Sequence, residues 1–346
     1  MSILERALNK NKDVGESKPT DDRPSNIRYF EDVLEGDHSR DYLAKSGSNQ
    51  DSEDENDFES FVTSDLDDGN ALGDIFEKEG ILTKSQVKDV LSLQEEENLY
   101  FGEAALKLKY ISKDELNFAL ARQYGYEYLS PENASMSKEL VSVYQPFSKR
   151  AEALRAVRSG LIINALQQDK KVIAVLSPGK SEGKSYTVAN LAILFSQLNK
   201  KTLLIDANFR SPRQHEIFNF DPRIGLSAIL GGRLSREGFD KLPETLEAFS
   251  NVSLLGAGPK PPNPSELLSN PRLNLFLKQL RNIYDVILID TPSAEYKADV
   301  QFVSQCIDTA AIVCRKNKTS MTSFKNLNSF CHNIGVPIAG VVYNEF

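Results

Sequence analysis

Tryptophan is absent from the 346-residue sequence, and methionine, histidine and cysteine number three each. His215 and His332 stand at no metal-ligand spacing, so no histidine-based metal site shows in the pattern. Cys306, Cys314 and Cys331 are odd in number and include no C-x-x-C pair. That excludes a disulfide framework and implies reduced, buried thiols in a cytosolic setting. No apolar run approaches the roughly 18–20 residues that span a bilayer, and the opening Met-Ser-Ile-Leu-Glu-Arg-Ala-Leu is too short an apolar stretch for a signal peptide. The expectation is a cytoplasmic chain that a partner would have to hold if it works at the inner membrane. A basic excess is also missing. The net charge is -8, and residues 1–68 hold 19 Asp and Glu against 8 Lys and Arg, while the other 278 residues hold 30 against 33. The acidity belongs to a tail, and the near-neutral remainder lacks the basic face a general nucleic-acid binder needs.

Four segments follow. Residues 1–68 are poor in apolar side chains and rich in Ser, Asp, Asn and Glu; such a segment cannot offset its chain entropy by burial and reads as a disordered acidic tail. Residues 70–130 hold an internal repeat with an offset of 29 residues: GDIFEKEGILTKSQVKDVLSLQ from Gly73 to Gln94, and GEAALKLKYISKDELNFALARQ from Gly102 to Gln123. Each unit predicts a short helix, an N-cap (Thr83 or Ser112) and a second helix. Thr83-x-x-Gln86 and Ser112-x-x-Glu115 are capping boxes, so a small all-α module is expected. Residues 131–146, with Pro131 and Pro146, read as a linker. From 147 to 346 the period changes. VIAVLS, TLLID, NVSLLGA, DVILID, TAAIVCR and IAGVVYN alternate with helical stretches from Lys184, over 264–283 and over 320–334. Apolar runs without alternation indicate strands buried on both faces, and the strand–helix succession predicts an α/β fold with a doubly wound, mainly parallel sheet.

The first of these strands runs into Ser177-Pro178-Gly179-Lys180-Ser181-Glu182-Gly183-Lys184-Ser185. A Gly-Lys-Ser that opens a helix directly after a buried strand is the P-loop context. The backbone amides of Gly179 to Tyr186 would face phosphate oxygens, Lys184 would reach the β- and γ-phosphates of ATP, and the Ser185 hydroxyl would ligate Mg2+. Pro178 stands where the first glycine of G-x-x-x-x-G-K-[ST] is expected. Two more strands end in aspartate, at Asp206 and Asp290. Carboxyl ends of parallel strands border the ligand crevice, which makes both candidate Mg2+ carboxylates. A lone strand-end aspartate serves as readily as a helix cap; two beside a P-loop favour the metal.

Asp206-Ala207-Asn208-Phe209-Arg210 resembles the D-x-D-x-R element of the bacterial tyrosine kinases that govern exopolysaccharide chain length. Glu152-x-x-Arg155-x-x-Arg158, Arg213-Gln214-His215, Gly225-Leu226-Ser227 and Pro262-Asn263-Pro264-Ser265-Glu266-Leu267-Leu268 resemble that family too, over about 146–346. The resemblance implies an ATP- and Mg2+-dependent protein tyrosine kinase that phosphorylates a protein tyrosine substrate, with a membrane-embedded polysaccharide co-polymerase as activating partner. It also implies that Asp206 accepts the proton of the attacking hydroxyl, that Asn344 contacts adenine, and that Glu152, Arg155 and Arg158 hold a homo-oligomer together; Arg210 pairs with Asp206, meets substrate or forms a plain surface salt bridge. The repeat resembles the front module of type II secretion and pilus ATPases. Three departures stand out: Asn208 replaces the second aspartate, Ser293 a proline, and no tyrosine cluster follows the last strand, whose Tyr343 reads as core. Other readings stay open. A partitioning or positioning ATPase has this fold, but Gly179 stands where that group carries its signature lysine. A non-catalytic regulatory ATP-binding subunit fits Asn208. A cyclic-di-GMP-binding module would begin each repeat Arg-Leu-Gly, whereas these begin Ala71-Leu72-Gly73 and Tyr100-Phe101-Gly102.

Overall fold

The computed structural model describes residues 71–126, 128–129, 135–221, 223–233, 242–246 and 248–345. All of them fall in one of the chain's two units, Ser64–Phe346. The expected acidic tail over 1–68 lies outside the described residues.

The repeat forms four helices: α1 (Leu72–Lys78), α2 (Lys84–Glu97), α3 (Phe101–Lys107) and α4 (Lys113–Gln123). Both capping boxes close. The Gln86 amide donates to Thr83 Oγ1 at 3.3 Å and the Thr83 amide to Gln86 Oε1 at 2.9 Å. The matching pairs at Ser112 and Glu115 measure 3.2 and 2.7 Å. The two units interlock, α1 packing on α4 and α2 on α3, around Phe76, Val90, Ala104, Ala105 and Ala119. A Cβ on Gly102 would crowd Leu116 at 2.7 Å, whereas one on Gly73 would meet the equivalent Val87 at an ordinary contact of 3.4 Å.

The α/β body carries a seven-stranded sheet in the order β3-β4-β2-β5-β1-β6-β7. The strands are β1 (Val172–Leu176), β2 (Thr202–Asp206), β3 (Glu244–Leu246), β4 (Phe249–Leu255), β5 (Val286–Asp290), β6 (Thr309–Arg315) and β7 (Ile338–Asn344). All neighbours are parallel except β3 and β4. Alternate residues of β1 enter different cores. Val172, Ala174 and Leu176 pack with Leu226, Phe276, Leu277, Val300 and Leu327, whereas Ile173 and Val175 pack with Leu161, Val188, Leu191 and Phe195. A strand buried on both sides has no polar face to show, hence its continuous apolar sequence. Each fully buried Leu, Ile or Phe contributes roughly 1.5–3 kcal/mol.

Several expectations need correction. Residues 135–146, read as linker, build part of the body. The short helix α5 (Val141–Tyr144) buries Leu140, Val143 and Tyr144, and Ser142 donates from its amide and its hydroxyl to Asn190 Oδ1, at 3.0 Å each. Pro131 and Pro146 suggested a connector, but the apolar cluster between them decides. The single helix expected over 264–283 is two, Pro264–Leu268 and Arg272–Leu280, broken at Pro271, which has no amide hydrogen to continue the ladder. Strand β3 and the helix over Lys297–Ser304 were not foreseen. Tyr343 is not core. It is 49% exposed, because β7 is an edge strand and its outward residues face solvent.

Between them, helices α6 (Lys149–Asn164) and α7 (Lys184–Ser196) cover the face of the sheet that leads to the site. On α6, Glu152 is 74% exposed. Arg155 pairs with Glu152 at 2.9 Å, donates to the Pro146 carbonyl at 2.6 Å and lies over the Tyr126 ring at 4.9 Å. Arg158 donates to the Leu194 carbonyl at 2.8 Å. Both arginines are thus engaged within their own chain.

Candidate active site

The loop from Ser177 to Gly183 links β1 to α7 and turns tightly. Ser181 (φ 56°) and Gly183 (φ 99°) occupy the left-handed region, which glycine adopts without strain and serine does not. One side chain of the loop, Glu182, and three beyond it, Thr319, Asn344 and Arg315, hold this shape. The Glu182 carboxylate folds back to accept the Gly179 amide at 2.8 Å and the Thr319 hydroxyl at 2.5 Å. Asn344 Nδ2 donates to the Glu182 carbonyl at 3.1 Å, and Arg315 donates to the Ser181 carbonyl at 3.1 Å. Asn344, expected at adenine, therefore spends its amide on the loop backbone, and Glu182 works as an internal brace. Thr319 carries no local sequence signal and was missed. Lys184 is buried, and its ammonium donates to Ser177 Oγ at 2.8 Å. Burial lowers its pKa, with Asp290 and Glu182 opposing that shift.

Asp206 and Asp290 end neighbouring strands and are direct register partners. Both are almost completely buried. Asp206 Oδ1 accepts the Asn208 amide at 3.0 Å, and Oδ2 accepts the Arg213 and Gln214 amides at 3.0 and 3.1 Å. Gln214 is the residue that sequence reasoning left without a role. Its Nε2 bridges Asp290 Oδ2 at 2.7 Å and the Ser185 carbonyl at 3.2 Å. Burial, then the adjacent Asp290, pushes the Asp206 carboxyl up to about 8. Burial also raises Asp290, against the pull of Lys184.

Asp290 Oδ1 is buried without a hydrogen-bond partner. An unpaired carboxylate oxygen next to the helix that begins Lys184-Ser185 suits a hard divalent cation, which takes one or two carboxylates and leaves its other positions to water and phosphate. The residues present therefore fit Mg2+, held by Ser185 and Asp290 with Asp206 beside them. Among the described residues no group of three or more His, Cys, Asp and Glu forms a self-sufficient metal cage.

Lys184, Ser185 and Asn208 open on a cleft of about 740 Å³, with Asp206 and Asp290 buried behind its lining. Lys184, Lys180, Arg150, Arg210, Arg213 and Arg315 line it, against the carboxylates of Glu139 and Glu182. Its volume and charge suit a nucleoside triphosphate. Tyr186 stands half-buried in its wall.

No protein-family model matches the chain. A putative tyrosine-protein kinase, CapB of Staphylococcus aureus, is 31% identical over 201 residues, 58% of this chain and 86% of that protein. The tyrosine-protein kinase YwqD of Bacillus subtilis is 32% identical over 186 residues, 53% of this chain and 76% of its own. The chain belongs to the bacterial tyrosine-protein kinases. Among solved structures, the kinase domain of the Escherichia coli tyrosine kinase ETK superposes with a TM-score of 0.56 at 26% identity, covering 60% of this chain and 79% of that one. The chimerical protein CapA2B2 does so at 0.54 and 28%, covering 65% and 96%. Longer relatives are matched only in part: the Salmonella typhi tyrosine-protein kinase wzc is 32% identical over 28% of its length.

Within this kinase, Arg210 forms a salt bridge, the third of the expected arrangements, while still lining the cleft. It pairs with Asp299 at 2.8 Å and lies 4.5 Å above the Tyr296 ring, rather than against Asp206. Buried Asp299 is the stronger partner because Asp206 is already satisfied by three amides. Lys180 sits over the same Tyr296 ring at 4.9 Å and pairs with Glu295 at 3.6 Å. Asn208 exchanges hydrogen bonds with Ser211, so its amide belongs to its own turn.

The carboxylate pair implies a pH dependence. The fold holds a proton on Asp206 that the unfolded chain releases in the ordinary carboxylate range, so stability falls as pH rises from there to about 8. In thermal unfolding of nucleotide-free kinase with chelator, Tm is expected to drop between pH 6 and 8.5, with a flatter profile in Asp206→Asn. Parallel profiles for the two proteins would contradict the assignment.

Proposed function

We propose that this chain transfers the γ-phosphoryl group of ATP to tyrosine hydroxyls, in the cleft between the P-loop and the ends of β2 and β5. The observation that carries the reading is the pair of register-matched aspartates beside a P-loop lysine in a cationic cleft. The loop amides and the N-terminus of α7 bind the β- and γ-phosphates, and Lys184 exchanges Ser177 Oγ for phosphate oxygen. Mg2+, bound through Ser185 and Asp290, supplies charge neutralisation. Asp206 accepts the acceptor's proton: its Oδ1 carries a single hydrogen bond, which leaves a lone pair free. Glu182, Thr319 and Asn344 keep the loop in shape, so binding need not order it.

Following the family resemblance, we assign the kinase to exopolysaccharide chain-length control, activated by a membrane-embedded co-polymerase. Among the described residues no helix is long and apolar enough to cross a membrane. The helical repeat, like the front module of secretion and pilus ATPases, is then a docking element. One observation favours a second reading, a regulatory subunit that binds ATP without phosphorylating tyrosine: Asn208 leaves the D-x-D-x-R stretch with one carboxylate.

Purified chain incubated with ATP, Mg2+ and a Glu–Tyr copolymer is expected to yield phosphotyrosine. Lys184→Ala should abolish the transfer, and Asp206→Asn should lower it by about 10²–10⁴-fold, with circular dichroism unchanged. ATP hydrolysis without phosphotyrosine, with or without the cytoplasmic tail of a co-polymerase, would favour the regulatory reading instead. Normal transfer by Asp206→Asn would remove its role as base.

We also propose self-association through Glu152, Arg155 and Arg158. Glu152 is 74% exposed and its one ion pair is with Arg155, whereas both arginines also hold backbone carbonyls, so Glu152→Ala is the variant that disturbs the fold least. Light scattering should show a large wild-type assembly and a smaller Glu152→Ala species. Monomeric wild type at every concentration, with and without nucleotide, would contradict it.

A further inference from the structure

An acceptor tyrosine must bring a free phenol into the cleft, and several described tyrosines are otherwise engaged. Tyr144 donates to the Met136 carbonyl and Tyr110 to Asp89, both at 3.1 Å. Tyr296 lies beneath Arg210 and Lys180. Tyr124 and Tyr126 pack on Phe147. Tyr100 differs. It is 82% exposed, against 62% for Tyr124 and 49% for Tyr343. It ends the three-residue connection Asn98–Tyr100 between α2 and α3, in extended backbone (φ -74°, ψ 152°). Its neighbour Phe101 stacks on Phe76 at 6.3 Å, which fixes the backbone while the ring projects into solvent.

The surroundings of Tyr100 are of one sign. Between Lys88 and Lys107 the chain carries Asp89, Glu95, Glu96, Glu97 and Glu103 and no cation. The cleft carries the opposite sign. At its rim Lys138 and Arg150 are exposed, and among the described residues neither forms an ion pair. No residue of α1–α4 lines the cleft, so Tyr100 is outside the site of its own chain.

We propose that Tyr100 is a phosphorylation site, presented on an acidic segment to the cationic cleft of a second copy of this chain. The proposal rests on the kinase reading above. In the step, Tyr100 Oη attacks the γ-phosphorus of ATP, the Oη–P bond forms, and the bond from the γ-phosphorus to the bridging oxygen breaks. ADP leaves, and the phenolic proton passes to Asp206 of the copy that holds ATP. Lys138 and Arg150 attract the flanking carboxylates, which makes acidic tyrosine peptides the general substrate class.

The test mixes isotope-labelled Lys184→Ala chain, intact at Tyr100, with unlabelled Tyr100→Phe chain, ATP and Mg2+, and runs a Glu–Tyr copolymer in parallel. Tryptic digestion isolates residues 89–107, which contain Tyr100 as their one tyrosine. Phosphate on the labelled 89–107 peptide is expected, reduced severalfold when the active copy carries Lys138→Glu and Arg150→Glu. A phosphorylated copolymer with an unmodified labelled peptide would overturn the proposal and spare the kinase reading. No transfer to either, with or without the cytoplasmic tail of a co-polymerase, would overturn both.

Discussion

Two carboxylates that cannot both ionise comfortably define this site. The parallel register of β2 with β5 sets Asp206 beside Asp290, each withdrawn from water, and like charges so placed raise one another's pKa. Backbone amides absorb part of the Asp206 charge, Gln214 and Lys184 part of that on Asp290. The remainder makes the nucleotide-free site a poor place for two negative charges and a good one for a cation. Strand register thus becomes affinity for metal and a base of raised pKa. The P-loop brace serves the same end, since a loop pre-shaped by Glu182 and Asn344 delivers Lys184 and the α7 amides to the same point.

Legibility from sequence followed the range of the interaction. The buried strands were readable because double-sided burial leaves only apolar residues in β1, in Leu203–Ile205 of β2 and in β5 up to its end. The strand-end aspartates and the Gly-Lys-Ser stood out against those apolar runs. The capping boxes of the repeat were readable because they act across three residues. Contacts across the fold left no such trace. Gln214 reaches Asp290 over 76 residues, and Thr319 reaches Glu182 over 137. The partner of Arg210 stayed open between Asp206, substrate and a plain salt bridge, because Asp299 arrives on a helix that periodicity did not reveal. Tyr343 looked like core because an edge strand and a central strand have similar composition, and only the strand order separates them.

The helical repeat and the kinase body are built on different logics. Interlocked caps and a glycine in each unit hold the repeat; the body depends on a sheet whose two faces feed separate cores. The repeat's acidic segment around Tyr100 and the body's cationic cleft are of opposite sign. Electrostatics of this kind governs encounter more than final affinity, so association between copies should weaken with salt while the fold of each stays intact.

The central claim is that the Asp206–Asp290 pair shares a proton until a cation displaces it. Calorimetric titration of Mg2+–ATP into the protein at pH 7, repeated in buffers of different ionisation enthalpy, counts the protons released on binding. The account predicts release of about one proton by the wild type, lost in Asp206→Asn. Equal proton release by the two proteins, or none by the wild type, would contradict it.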